Sequence, residues 1–206
     1  MGRAQRRPGR DVSRAEPAVA ADDDPLESVI TYLEMWAPPA QRPRPAPRPD
    51  LEIRRAQRPT VSFYRYLYAA VGEPWSWTDR RRLDDAGLAA ILADPRVEVN
   101  VLWLGGVPAG YAELDRRAPP DIEIGYFGLV PEFIGQGLGG YLLDWAIHHA
   151  WRVRPRRLWL HTCDLDHPRA LDFYQRAGFR IYHQEIMGLG GPPGTAMPAA
   201  ALRSDT

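Results

Sequence analysis

The stretch Leu129-Val-Pro-Glu-Phe-Ile-Gly-Gln-Gly-Leu-Gly-Gly-Tyr-Leu-Leu143 decides how the rest of the chain is read. It opens as the end of an apolar strand, Ile122 to Val130. It closes as the start of a helix, about 137–152, with an apolar stripe of Leu138, Leu142, Trp145 and Ala146. Between strand and helix lie Gly135, Gly137, Gly139 and Gly140. Glycines there let the backbone approach a ligand without Cβ interference. A helix N-terminus adds unpaired N–H groups and a positive dipole end. The combination suits a pyrophosphate. A P-loop needs Gly-Lys-Ser/Thr, and the sequence contains no lysine. A dinucleotide fingerprint GxGxxG is formally present as Gly135, Gly137 and Gly140, with Asp164 roughly where a ribose-binding acid would stand. Its context differs, because Pro131 to Ile134 separate the first glycine from the strand. An oxidoreductase stays open on this evidence alone.

Working upstream, alternation at Val97, Val99, Val101 and Trp103 predicts a strand. Gly105-Gly106 predicts a tight hairpin into a partner strand near 108–115. A third strand follows over 122–130. Val61, Tyr64, Tyr68 and Val71 recur at helical spacing, so 60–71 is expected to be a helix, and 83–93 a second. Residues 29–35 read as the first strand. Downstream, Arg157–Cys163 reads as a strand, 168–177 as a helix and 179–186 as a last strand. Strands 97–130 should be antiparallel, and the later β-α-β unit implies one parallel step. The expectation is an α/β, mixed but mostly antiparallel, twisted sheet of six to seven strands with helices on both faces.

The 206 residues suit one domain with a real core, placed at 26–188. Residues 1–25 have almost no large apolar side chains and are expected to be disordered, and the tail 189–206, rich in Gly, Pro and Ala, is expected to be loose. Pro38–Pro49 favours polyproline II, either as a surface connection within the domain at 38–50 or as a ligand for a proline-binding module. Acidic and basic residues balance at 26 each, so nothing favours nucleic acid or a membrane as partner. All the basic residues are arginine, which with heavy Ala, Pro and Gly use suggests a GC-rich, bacterial genome. One cysteine, Cys163, excludes an internal disulfide, and a cytoplasmic setting is expected.

A second motif lies downstream: His167-Pro-Arg-Ala-Leu-Asp-Phe-Tyr-Gln-Arg-Ala-Gly-Phe179. With the glycine loop it resembles the GNAT family of acyl-CoA-dependent N-acetyltransferases. Ile134-Gly-Gln-Gly-Leu-Gly139 fills that family's Arg/Gln-x-x-Gly-x-Gly/Ala window, with Ile134 as the departure. Ala170, Tyr174, Gly178 and Phe179 match the family's Asn-x-x-Ala-x-x-x-Tyr-x-x-x-Gly-Phe, with His167 where Asn is common. The specific resemblance spans 121–183. It implies the GNAT fold and acetyl-CoA as cosubstrate. The cosubstrate would be held by Leu129, Val130, Ile134, Gly135, Gln136, Gly137, Leu138, Gly139, Gly140 and His167. It also implies Tyr174 as the acid near the sulfur, and an acceptor pocket around Tyr64, Tyr68, Trp75 and Trp77.

Acetyl transfer to an amine needs a proton acceptor, because an ammonium has no lone pair. Glu123 in DIEIGYFGLV is the candidate base, with Glu113 one strand earlier as its rival. Period-two alternation places Glu123 with Gly125 and Phe127, opposite Ile122, Ile124 and Tyr126. The segment His161 to His167 is rich in potential metal ligands but lacks CxxC or HExxH spacing, so no metal is expected. The acceptor is a small-molecule or peptide amine, and the protein a monomer or homodimer. An acyl-CoA-binding module without catalysis is the alternative.

Overall fold

A computed structural model of the chain describes residues 27–188. The expected loose segments, 1–25 and 189–206, lie outside the described residues. Seven strands form one sheet: β1 (Glu27–Met35), β2 (Leu51–Arg55), β3 (Val97–Leu104), β4 (Val107–Asp115), β5 (Asp121–Leu129), β6 (Arg157–Cys163) and β7 (Arg180–Gly188). Their order is β2-β3-β4-β5-β6-β1-β7. Every neighbouring pair is antiparallel except β5–β6. The helices are α1 (Val61–Gly72), α2 (Asp79–Arg82), α3 (Asp85–Ala93), α4 (Leu138–Trp151) and α5 (Ala170–Arg176). The mixed, mostly antiparallel architecture is the one expected.

Each face of the sheet has its own core. On one face, Leu138, Leu142, Ala146 and Ala150 of α4 pack with Leu114, Ile122, Ile124, Leu158 and Leu160. Tyr174 of α5 and Phe179 close this core. On the other face, Tyr64, Leu67, Tyr68 and Val71 of α1 and Leu88 of α3 pack on Val99, Val101 and Tyr111. Local signals set the helix starts. Thr60 caps α1 by accepting from the Phe63 N–H, and Asp84 caps α3 by accepting from Gly87. The hairpin at Gly105-Gly106 has both residues at positive φ, as the sequence requires.

Two elements were not expected. Leu51–Arg55 forms an edge strand, although it is only five residues long and its alternation is limited to Leu51 and Ile53 against Glu52 and Arg54. The short helix α2 precedes α3, which starts at Asp85 rather than at 83. The first strand also enters the sheet far from the second. β1 lies between β6 and β7, five strand spacings (about 24 Å) from β2. The proline-rich connection spans that distance across α4. Arg44 N–H donates to Asp144 at 2.8 Å, and His148 Nε2 lies 3.1 Å from the Gln41 carbonyl oxygen. Thirteen residues of polyproline II reach about 40 Å, which is ample. The connection is therefore a strap within the domain.

Two irregularities in β5 position everything that follows. First, β5 and β6 pair only at Asp121–Arg157, Ile122–Leu158 and Glu123–Trp159, and then part. The joined end is clamped by charge. Asp121 accepts from Arg156 at 2.9 and 3.0 Å and from Arg157 at 3.2 Å, while Arg157 reaches Glu34 at 3.0 Å. Second, Glu113 faces Tyr126 while Leu114 faces Ile124, so Gly125 is an extra residue. This bulge resets the alternation. Ile122, Ile124 and Phe127 face α4, whereas Tyr126 faces α1. Glu123, paired to Trp159, shares the Tyr126 face. The expectation from simple alternation, which grouped Glu123 with Phe127 and opposite Tyr126, is corrected by this one inserted residue.

Candidate active site

Where β5 and β6 part, the sheet opens into a cleft of about 530 Å³. One end is the glycine loop. Gly135 and Gly137 adopt φ of +85° and +78°, a conformation that only glycine enters without strain. Gly137 is the N-cap of α4; no side chain caps the helix and no acidic residue occupies its first turn. Its first N–H groups are therefore available to an anion. Ile134, Gly135, Gly137, Gly139 and Gly140 line this end, with Arg169 and Arg176 at the rim.

The middle of the cleft is the edge that β5 exposes once β6 has left. Leu129 lines it. Val130 N–H donates to Ala109 of β4 at 2.9 Å, so that donor is turned away from the cleft. Backbone alternation directs the Leu129 N–H to the opposite edge, into the gap. Tyr174 stands across from it with its ring edge-on to Phe127. Burial, and then the charge of Asp166, push the Tyr174 phenol pKa upward, so the hydroxyl keeps its proton.

The far end is aromatic and acidic. Tyr68, Trp77 and Tyr126 pack against one another with centroids 5.1–5.4 Å apart. Trp75 lies 5.2 Å from His167, which joins this end to the α5 motif. A Cβ on Gly72 would overlap the Trp77 ring, so a glycine is required where α1 ends. Asp166 ties the two halves together. It accepts from Trp77 Nε1 at 3.1 Å, Thr162 Oγ1 at 2.7 Å and Cys163 N–H at 3.1 Å. Asp79 and His161 complete this end.

A cradle of glycine N–H groups, a bare strand edge and a protonated phenol in one cleft fit an extended ligand with a phosphate at one end and an acyl group in the middle. The comparisons with known proteins agree. The model of the acetyltransferase (GNAT) family matches residues 51–179. The chain belongs to the GNAT family of acetyltransferases. An uncharacterized N-acetyltransferase of Mycobacterium tuberculosis is 31% identical over 108 residues, 52% of this chain and 69% of that protein. An uncharacterized N-acetyltransferase of Mycobacterium bovis matches to the same extent. Among solved structures, a GNAT acetyltransferase of Elizabethkingia anophelis with acetyl-CoA bound superposes with a TM-score of 0.51 and 21% identity. That match covers 66% of this chain and 80% of the other. A putative GNAT acetyltransferase of Novosphingobium aromaticivorans gives 0.52 at 18% identity, covering 78% of this chain and 63% of its own. A Staphylococcus epidermidis protein of unknown function gives 0.57 at 18%, covering 78% and 60%. This chain thus spans less than two-thirds of the last two. At such identities the structures establish the fold alone.

Within this GNAT cleft most of the sequence-derived residues converge, and some do not. Leu129, Ile134, Gly135, Gly137, Gly139, Gly140, His167, Tyr68, Trp75, Trp77 and Tyr174 line it. Gln136 instead donates to the Glu132 carbonyl at 2.9 Å, and the Leu138 side chain is buried in the core, so either could contribute only main-chain atoms. Tyr64 is not in the cleft; it is fully buried, with its hydroxyl on Glu113. Glu113 is also fully buried, and Arg80 donates to it at 2.6 Å. Glu123 lies beside the cleft without lining it, with Oε1 3.4 Å from His161 Nδ1. Asp166, Asp79 and Tyr126 line the cleft but were not singled out as site residues from the sequence. Their signal, an acid after β6 and an aromatic next to a bulge, has no fixed spacing. Among the described residues no group of three or more His, Cys, Asp or Glu side chains is placed to hold a metal ion.

The pair of Glu113 and Arg80 carries a test of its own. Burial opposes the charge on Arg80, but the Glu113 carboxylate outweighs it and raises the pKa of the guanidinium. Removing one member strands the other. Arg80→Met is expected to cost about 3–5 kcal/mol in urea unfolding. A loss of only a few tenths would show that the pair does not bear on stability.

Proposed function

We propose that the protein is an acetyl-CoA-dependent N-acetyltransferase. It moves an acetyl group to the primary amine of an acceptor by direct attack in a ternary complex. The observation that carries this reading is the continuity of the cleft. The glycine cradle, the open edge of β5, Tyr174 and the aromatic end lie in one channel. Acetyl-CoA would place its pyrophosphate on the N–H groups at Gly137–Gly140 and its pantetheine along the β5 edge at Leu129. His167 and Arg169 flank it. This orientation brings the thioester beside Tyr174, whose retained proton is suited to the departing thiolate. The amine would enter from the end lined by Tyr68, Trp75 and Trp77, where aromatic faces with Asp79 and Asp166 favour a cation before it loses its proton. The proton acceptor is drawn from the Glu123–His161 pair at the throat of the cleft, where β5 and β6 part. A cytoplasmic enzyme acting on a small-molecule or peptide amine fits this reading.

Calorimetry tests the first step. Acetyl-CoA should bind with micromolar affinity, roughly −8 kcal/mol, and free CoA should compete. A Cβ at Gly137 would meet no protein atom within 4 Å, so added bulk there leaves the fold intact. Gly137→Asn, whose side chain is among the better tolerated at positive φ, should therefore fold and weaken binding, because a Cβ then stands where the pyrophosphate approaches the backbone. Gly137→Glu should abolish binding by setting a carboxylate against the pyrophosphate. Equal binding by the two variants would move the phosphate site elsewhere, and binding of NAD in place of acetyl-CoA would overturn the reading.

Turnover tests the acid. Tyr174→Phe keeps the ring and its packing and removes the hydroxyl. With any amine that supports CoA release, kcat should fall by ~10²-fold or more at unchanged acetyl-CoA affinity. An unchanged kcat would leave Tyr174 a packing residue. A protein that binds acetyl-CoA yet releases no CoA across a broad amine panel would be the non-catalytic module instead.

A further inference from the structure

We propose that His161, not Glu123, takes the proton from the acceptor ammonium, and that Glu123 is a positioning residue behind it. The inference rests on the acetyl-transfer reading above and specifies its base. Four carboxylates stand near the throat, and geometry separates them. Glu113 is fully buried and already held by Arg80 and the Tyr64 hydroxyl. Asp166 lines the cleft, but three donors occupy its two oxygens. Asp79 sits at the exposed mouth, on α2. Glu123 is paired inside the last closed rung of β5 and β6 and does not line the cleft. His161 is two residues beyond that rung on β6, and it does line the cleft.

The imidazole is oriented by its surroundings. Its Nδ1 is buried and lies 3.4 Å from Glu123 Oε1. The ring packs against Tyr32 of β1 and Trp159 of β6, with centroids 5.8 and 6.4 Å away. The side chain is 30% exposed, and because Nδ1 is buried that exposure belongs to its other atoms. A carboxylate facing Nδ1 favours the tautomer with its proton there. The lone pair then sits on Nε2. The charged groups around the ring are Glu123 on β5, Asp166 between β6 and α5, and Asp79 on α2; Tyr32 adds a neutral phenol bonded to Glu185 of β7. Burial pulls the imidazole pKa down, but Glu123 first, then Asp166 and Asp79, outweigh it and leave it raised.

The proton balance closes with this assignment. The ammonium R–NH₃⁺ gives one proton to His161 Nε2. The freed lone pair forms the C–N bond at the thioester carbonyl carbon. The C–S bond breaks, and the thiolate takes the Tyr174 proton. Tyr174 recovers a proton from the acylated nitrogen, and His161 returns its own to solvent. The sum is one amide, one CoA thiol and one proton released.

The test combines pH–rate profiles with NMR titration of the histidine ring protons. The variants are His161→Gln, Glu123→Gln and Asp79→Asn, each checked for acetyl-CoA binding to confirm folding. His161→Gln should lose ~10²-fold or more in kcat/KM for the amine and lose the inflection on the acid side of the profile. Glu123→Gln should retain most of its rate at high pH. Its acid-side inflection should move to lower pH, because the carboxylate that stabilises the imidazolium is gone. The resonance missing from His161→Gln should show the same downward shift in Glu123→Gln, a change that a purely structural role would not produce. The proposal is overturned if Glu123→Gln costs as much as His161→Gln at every pH. It is also overturned if Asp79→Asn erases the inflection, or if the His161 midpoint ignores Glu123. Wild-type protein that binds acetyl-CoA but releases no CoA would overturn the acetyl-transfer reading itself and the assignment with it. Turnover with a misplaced inflection overturns the assignment alone.

Discussion

β5 and β6 share three residue pairs and then separate, while β5 stays paired to β4 from Glu123 to Leu129. A parallel pair inside a sheet would ordinarily satisfy both strand edges. Here the β5 edge beyond Glu123 faces a cleft, and its backbone groups are available to an amide-bearing ligand. The separation is held from both ends. The Asp121–Arg156–Arg157–Glu34 cluster fastens the closed end. At the open end α5 packs Phe173 and Tyr174 against Phe127, and Asp166 ties the loop before α5 to Trp77. The cleft is thus a consequence of where the sheet is prevented from closing.

The Gly125 bulge matters almost as much. It turns Tyr126 toward α1 and so adds a ring to the aromatic end of the cleft. Phe127 and Leu129 remain packed on the α4 side. One added residue gives the two halves of β5 different tasks. Before it, Glu123 sits in the last closed rung with its carboxylate 3.4 Å from His161 Nδ1. After it, the strand presents backbone to the cleft.

Much of this was legible in the sequence, for physical reasons. Gly135 and Gly137 announced a loop that needs positive φ, and the stripe through Leu138, Leu142 and Ala146 announced a helix with one buried face. The paired glycines at 105 and 106 fixed a hairpin. What stayed hidden depends on distant partners. Leu51–Arg55 is too short for its alternation to stand out, and it becomes a strand where β3 offers an edge. The place of β1 between β6 and β7 is set by pairing across more than a hundred residues of chain. The bulge leaves no mark beyond one glycine among several. For the site, the glycine end of the cleft was readable because main-chain geometry demands particular residues there. The aromatic end was not, because Tyr64 and Tyr68 occupy the same helix at helical spacing, both are buried, and only tertiary packing turns one away from the cleft and sets the other in its wall. Glu113 and Glu123 were likewise equivalent carboxylates until Arg80 was placed beside one and His161 beside the other.

The central claim is that acyl-CoA lies along the parted edge of β5 with its phosphates on the α4 N-terminus. Amide NMR of the ¹⁵N-labelled protein during an acetyl-CoA titration tests it most directly. The amides of Leu129, Gly135, Gly137, Gly139 and Gly140 should shift together and saturate at one affinity, while those of the Gly105-Gly106 hairpin stay fixed. Saturable shifts confined to another surface, or shifts at the glycines without any at Leu129, would contradict the account.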